Sequence, residues 1–102
     1  MNKHEQIAYR NIKACFDYEV GGWYNCIQDD CMQYIPDTEA EAKEYIYDCA
    51  MNNLYGKGYC GCNKAPKEMR FAGKEFAESI INKLFTEDGD IAEIRYEKGW
   101  TE

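Results

Sequence analysis

Four of the six cysteines have a spacing that bears on metal chemistry: Cys26 and Cys31, separated by four residues, and the pair Cys60-Gly-Cys62. A structural zinc ion takes four thiolate or imidazole ligands in tetrahedral array, usually from pairs separated by two to four residues. One pair here sits at the edge of that usage and the other falls short of it. The chain is therefore read as having no metal or cofactor, with Cys26, Cys31, Cys60 and Cys62 as the set a zinc ion would use. Cys15 and Cys49 fall on apolar helix faces, where a free thiol behaves as a small hydrophobe. The C-x-x-C spacing of thioredoxin-like redox sites is absent.

Catalysis finds little to work with. The one histidine, His4, lies in an N-terminal segment expected to fray, so a general base near neutral pH would have to be a strongly shifted carboxylate or thiol. No phosphate-binding loop, metal-hydrolase motif or nucleophilic serine motif is present. The chain is read as non-enzymatic.

Carboxylates carry the strongest pattern. Asp37, Glu41, Glu44 and Asp48 recur at spacings of three and four, which places them on one side of a helix. Ala42, Tyr45, Ile46, Cys49, Ala50 and Asn53/Leu54 recur at the same spacings on the other side and form its core face. The helix is expected over 36–56, opened by Pro36 and Asp37, with Thr38 and Glu41 as a capping box, and stopped by Gly56-Lys57-Gly58.

Other elements must position this helix. A first helix is expected over 2–20, with Ile7, Ala8, Ile12, Cys15, Phe16 and Glu19/Val20 on one face and Gly21-Gly22 as its end. Residues 23–35 read either as a short helix from Gly22 to about Asp29 followed by an extended segment, or as a hairpin turning at 28–30; the helix is preferred. After Ala65-Pro66, an amphipathic helix runs through Met69, Ala72, Phe76, Ile80 and Leu84, with Ala77, Ile81 and Phe85 beside them. Gly73 divides it into a short and a long piece. Thr86 to Gly89 reads as a turn, Asp90 with Glu93 as the cap of a last short helix ending at Tyr96 or Lys98, and Trp100 as an anchor returning to the body. The expected fold is mainly α, a small single-domain bundle of three to five helices over 1–102, with a short β-hairpin near residues 23–35 as the open alternative.

Nine tyrosines and two tryptophans in 102 residues supply enough apolar area for a small core despite a mean hydropathy of -0.72. With no apolar leader or membrane-length apolar run, the expected location is the cytoplasm. The net charge of -7 disfavours direct binding to DNA or anionic membranes and favours a basic partner. Charge is also segregated along the chain. Residues 14–48 carry nine acids against one base, a net of -8, whereas 56–74 carry five bases against one acid, a net of +4. A dense run of carboxylates can imitate a phosphate backbone and enter a cationic groove built for nucleic acid.

The segments A-P-K-E-M-R-F-A-G-K-E-F (65–76) and D-Y-E-V-G-G-W (17–23), with the small size, acid surplus and tyrosine content, resemble small phage and mobile-element proteins that block host defence, the anti-CRISPR proteins among them. That resemblance implies a mechanism class: binding a CRISPR-associated nuclease where it reads DNA, with carboxylates taking the place of nucleic acid before its arginines. The expected partner-binding residues are Asp29, Asp30, Asp37, Glu41, Glu44 and Asp48, with Tyr34, Tyr45 and Tyr47. The alternative is a small phage or bacterial regulatory module, dimeric or zinc-binding, that works through the tyrosine-rich or the basic 56–74 surface.

Overall fold

The computed structural model describes residues 1–52 and 65–100, with the side chains of 65 and 66 outside that description. The described residues form a mainly α bundle of five helices and contain no strand: α1 (Lys3–Gln28), α2 (Glu39–Met51), α3 (Ala65–Ala72), α4 (Lys74–Glu87) and α5 (Gly89–Lys98), with a 3-10 turn at Met32–Tyr34.

Helix α1 is the spine. Its 26 residues rise about 39 Å at 1.5 Å each, and it packs against each of the other four helices, most extensively against α3. Ala8, Asn11, Ile12, Cys15, Phe16, Val20 and Trp23 are its buried residues, three or four apart, and they form one continuous stripe. The N-terminus is capped rather than frayed. Asn2 accepts from the Glu5 backbone N–H at 2.8 Å and the Glu5 carboxylate accepts from the Asn2 N–H at 3.0 Å, a complete capping box.

The expected helix end at Gly21-Gly22 is not there, and neither is the hairpin at 23–35. The helix continues to Gln28, because Val20, Trp23 and half-buried Ile27 keep the stripe running across the glycines. Two interior glycines cost roughly 2 kcal/mol together. Burying a tryptophan of about 200 Å² contributes roughly 5 kcal/mol as an upper estimate, so the core decides. Trp23 is 4 % exposed, with its ring edge-on to Trp100 at 6.3 Å.

At the true end of α1, the Cys31 N–H donates to the Cys26 carbonyl at 2.9 Å and the Asp30 N–H to the Ile27 carbonyl at 3.2 Å. That is a Schellman cap, with Asp30 at φ 60 in the position glycine usually fills. The cap of α5 has the same pattern with glycine in place: Gly99 at φ 71, its N–H on the Tyr96 carbonyl and the Trp100 N–H on the Arg95 carbonyl. The turn sends Trp100 back into the body, 5 % exposed, where its indole N–H donates to the Pro36 carbonyl at 2.9 Å.

Helix α2 is shorter than expected at its start. Pro36 and Asp37 precede it, and Thr38 is the N-cap, accepting from the Glu41 N–H at 3.1 Å. At the other end Asn52 caps Met51; the expected continuation to Gly56, like Cys60, Cys62, Lys57 and Lys64, lies outside the described residues. Gly73, at φ 95, divides α3 from α4 as the sequence pattern implied. A single residue, Asp88, then joins α4 to α5. Asp88 rather than Asp90 caps α5, accepting from the Ile91 N–H at 3.1 Å, and the helix begins at Gly89 where a turn was expected.

Candidate functional site

Helix α2 presents its carboxylates as the spacing implies. With about 100° between successive residues, Glu41, Glu44 and Asp48 occupy an arc of about 60° opposite the fully buried Ile46. Ala42, Cys49 and Ala50 flank Ile46 on the core side. All three acids are exposed, and among the described residues none has an ion-pair partner. Asp37 sits just ahead of the helix with its side chain 88 % exposed, 3.3 Å from the Lys98 ammonium.

The two tyrosines of α2 go to opposite edges of this stripe. Tyr45 turns toward α1, its ring 6.3 Å from Trp23, and makes hydrogen bonds with Glu19 and Cys49. Burial and the neighbouring Glu19 charge hold the Tyr45 hydroxyl above its ordinary value; burial likewise raises the Glu19 carboxyl, with the Tyr45 hydrogen bond opposing it. Tyr47 turns toward α4. Its ring lies 5.5 Å from the Lys74 ammonium and lines a groove of about 450 Å³ between α2 and α4, together with Lys43, Glu44, Asp48 and Glu78. The stripe thus has a tyrosine on each side and two lysines on its α4 edge.

Asp29, Asp30 and Tyr34 form a second group in the turn between α1 and α2. All three are exposed, Tyr34 at 69 %. The expected partner-binding set therefore divides into a helix face and a turn, with Asp37 on the link between them.

One of the nine acids counted over 14–48 is buried. Glu39, 8 % exposed, accepts from Arg95 Nε at 2.5 Å and lies 3.4 Å from the Lys43 ammonium. Burial alone would raise its carboxyl, but the Arg95 hydrogen bond and charge, with Lys43 behind them, bring it below the ordinary value.

A separate cluster escaped sequence reading. His4 pairs through Nδ1 with the nearly buried Glu68 and stacks on Phe71 at 4.9 Å. Phe71 is 60 % exposed, and the Lys67 ammonium lies 5.7 Å from its ring. Phe71 does fall off the Met69–Ala72 core stripe, which is the one sequence signal for its exposure.

The Cys26 and Cys31 side chains are half-buried, and those of Cys15 and Cys49 are buried in the core. Among the described residues, no three His, Cys, Asp or Glu side chains gather as a metal site requires, and no helix is long and apolar enough to cross a membrane.

Fold and surface together define a small helical bundle whose α2 carries an exposed acidic stripe without ion-pair partners among the described residues. Comparison with protein-family models, with curated proteins and with solved structures finds no match to this chain.

Proposed function

We propose that this protein is a non-enzymatic inhibitor of the anti-CRISPR type, which binds a CRISPR-associated nuclease in the cytoplasm and blocks its recognition of DNA. The observation that carries the reading is the stripe of Glu41, Glu44 and Asp48, exposed, without ion-pair partners among the described residues, and set on a helix held rigid by its buried face. A carboxylate matches an arginine fork in a bidentate pair. A row of them competes for the cationic surface that otherwise holds phosphates and base edges. Tyr47 and Tyr45 at the margins supply amphipathic rings of the kind that anchor protein interfaces.

The experiment is a binding measurement over a salt series, using the purified protein with guide-loaded nuclease and, separately, with duplex DNA. The reading requires nuclease binding that weakens as salt rises and no binding to free DNA. If the Asp37/Glu41/Glu44/Asp48→Ala variant binds the nuclease as tightly as the parent, the acidic stripe is not the interface.

A second reading, a regulatory interaction module, draws on Phe71. An exposed aromatic ring bracketed by His4 and Lys67 is an anchor of the kind found at partner surfaces. Phe71→Ala in the same measurement separates the two, since the acidic-stripe reading leaves nuclease affinity unchanged.

A further inference from the structure

The cap at the end of α1 holds two thiols in a defined relation. In a Schellman cap the third residue from the helix end and the second residue beyond its cap bring their side chains into contact, ordinarily as an apolar pair. Here those two positions are Cys26 and Cys31. The 2.9 Å hydrogen bond from the Cys31 N–H to the Cys26 carbonyl keeps their Cα atoms within about 7 Å, the span a disulfide bridges. Both thiols are half-buried, so a small reagent can approach. Burial, the Cys26 thiol and the carboxylates of Asp29 and Asp30 hold the Cys31 thiol above its ordinary value, so it rests as the thiol and not the thiolate.

We propose that Cys26 and Cys31 are a thiol pair that a low-molecular-weight disulfide such as oxidised glutathione converts to an intrachain disulfide across the α1 cap. The Cys26 thiolate attacks one sulfur of oxidised glutathione, giving a mixed disulfide and releasing one glutathione thiolate. Cys31 then loses its proton, and its Sγ attacks the Cys26 sulfur and expels the second glutathione. Two protein thiols are oxidised and one glutathione disulfide is reduced to two glutathione molecules. The new bond closes the chain around Asp30 and fixes the turn that carries Asp29, Asp30 and, just beyond it, Tyr34.

The assignment is tested on the full native chain, equilibrated in a buffer of reduced and oxidised glutathione, then quenched with acid, unfolded and blocked with N-ethylmaleimide so that every remaining thiol, the buried Cys15 included, is reached. Cleavage after Lys13 and Lys43 releases a fragment holding Cys15, Cys26 and Cys31 and no other cysteine. The expected product is this fragment with a single blocking group, on Cys15, and a mass lower by two hydrogens. Cys31→Ser is expected to stop at glutathione on Cys26, and Cys15→Ser to leave the bond in place. Three blocking groups on the parent fragment, glutathione retained on both Cys26 and Cys31, or a bond from either to another cysteine would each overturn the proposal.

Discussion

Arg95 Nε donates to Oε1 of Glu39 at 2.5 Å, joining the last helix to the first turn of α2 across 56 residues of chain. A second Arg95 nitrogen reaches the Phe85 carbonyl at 3.3 Å, so one guanidinium fixes α2, α4 and α5 relative to one another. The Glu39 side chain is only 10 % exposed, and its carboxylate has little water to fall back on if the partner is lost.

Removing the charge should therefore destabilise the fold in a pH-dependent way. The Glu39 carboxyl is lowered from 4.5 in the folded state, so as pH falls the unfolded chain takes up the proton first. Its contribution is complete above the unfolded value and is lost as pH drops through the folded one. Glu39→Gln is expected to cost about 1–3 kcal/mol near neutral pH. The gap from the parent closes in strong acid, as urea denaturation over a pH series would show.

Gly21 and Gly22 lie inside α1, and a Cβ added to either would meet no atom within 4 Å. Neither has the positive φ that would make glycine necessary there. Gly21→Ala and Gly22→Ala are each expected to stabilise the protein by about 0.5–1 kcal/mol, through better helix propensity and a less flexible unfolded chain. A rise in the thermal midpoint of each single variant, roughly additive in the double, is the check.

Those glycines also mark where sequence reading failed and why. A Gly-Gly pair after an amphipathic stripe ends a helix unless something beyond it has a core to enter. Trp23 does, but the surface it buries against includes Trp100, which local periodicity around residue 23 cannot anticipate. Periodicity succeeded where the determinants were local: the division at Gly73 and the buried face of α2, except that Tyr45, assigned to that face, is exposed; on α4 the stripe named through Phe76, Ile80 and Leu84 is only half-buried, and Ala77, Ile81 and Phe85 beside it form the buried face. It had no means of anticipating the pairing of Glu39 and His4, whose partners Arg95 and Glu68 are 56 and 64 residues away. For the candidate site, the exposure of Glu41, Glu44 and Asp48 was legible. The division of Tyr45 and Tyr47 between two edges depends on where α1 and α4 pack, and was not.

Asp30 holds the left-handed position of the α1 cap at φ 60, where an L side chain is strained. Asp30→Gly is expected to gain about 0.5–1 kcal/mol, a net of relieved strain against the greater freedom of glycine in the unfolded chain. Because Asp30 also stands in the expected partner-binding set, equilibrium unfolding and nuclease affinity measured on the same variant would separate its two roles.

The acidic stripe is locally unfavourable. Glu41 to Glu44 is a like-charge pair three residues apart and Glu44 to Asp48 one four residues apart, each costing about 0.2–0.5 kcal/mol on a helix. Asp48 in addition stands in the last turn of α2, at the negative end of the helix dipole, and no basic residue accompanies it there. A stripe kept only for solubility would gain nothing from this placement. The double variant Glu44→Gln/Asp48→Gln is therefore expected to be more stable than the parent by roughly 0.5–1 kcal/mol. Its stability should respond less to added salt, because the repulsion that salt screens has been removed. If the stripe meets a partner's arginines, the same variant loses nuclease affinity while gaining stability. Stability gained with affinity unchanged would leave these carboxylates facing water alone.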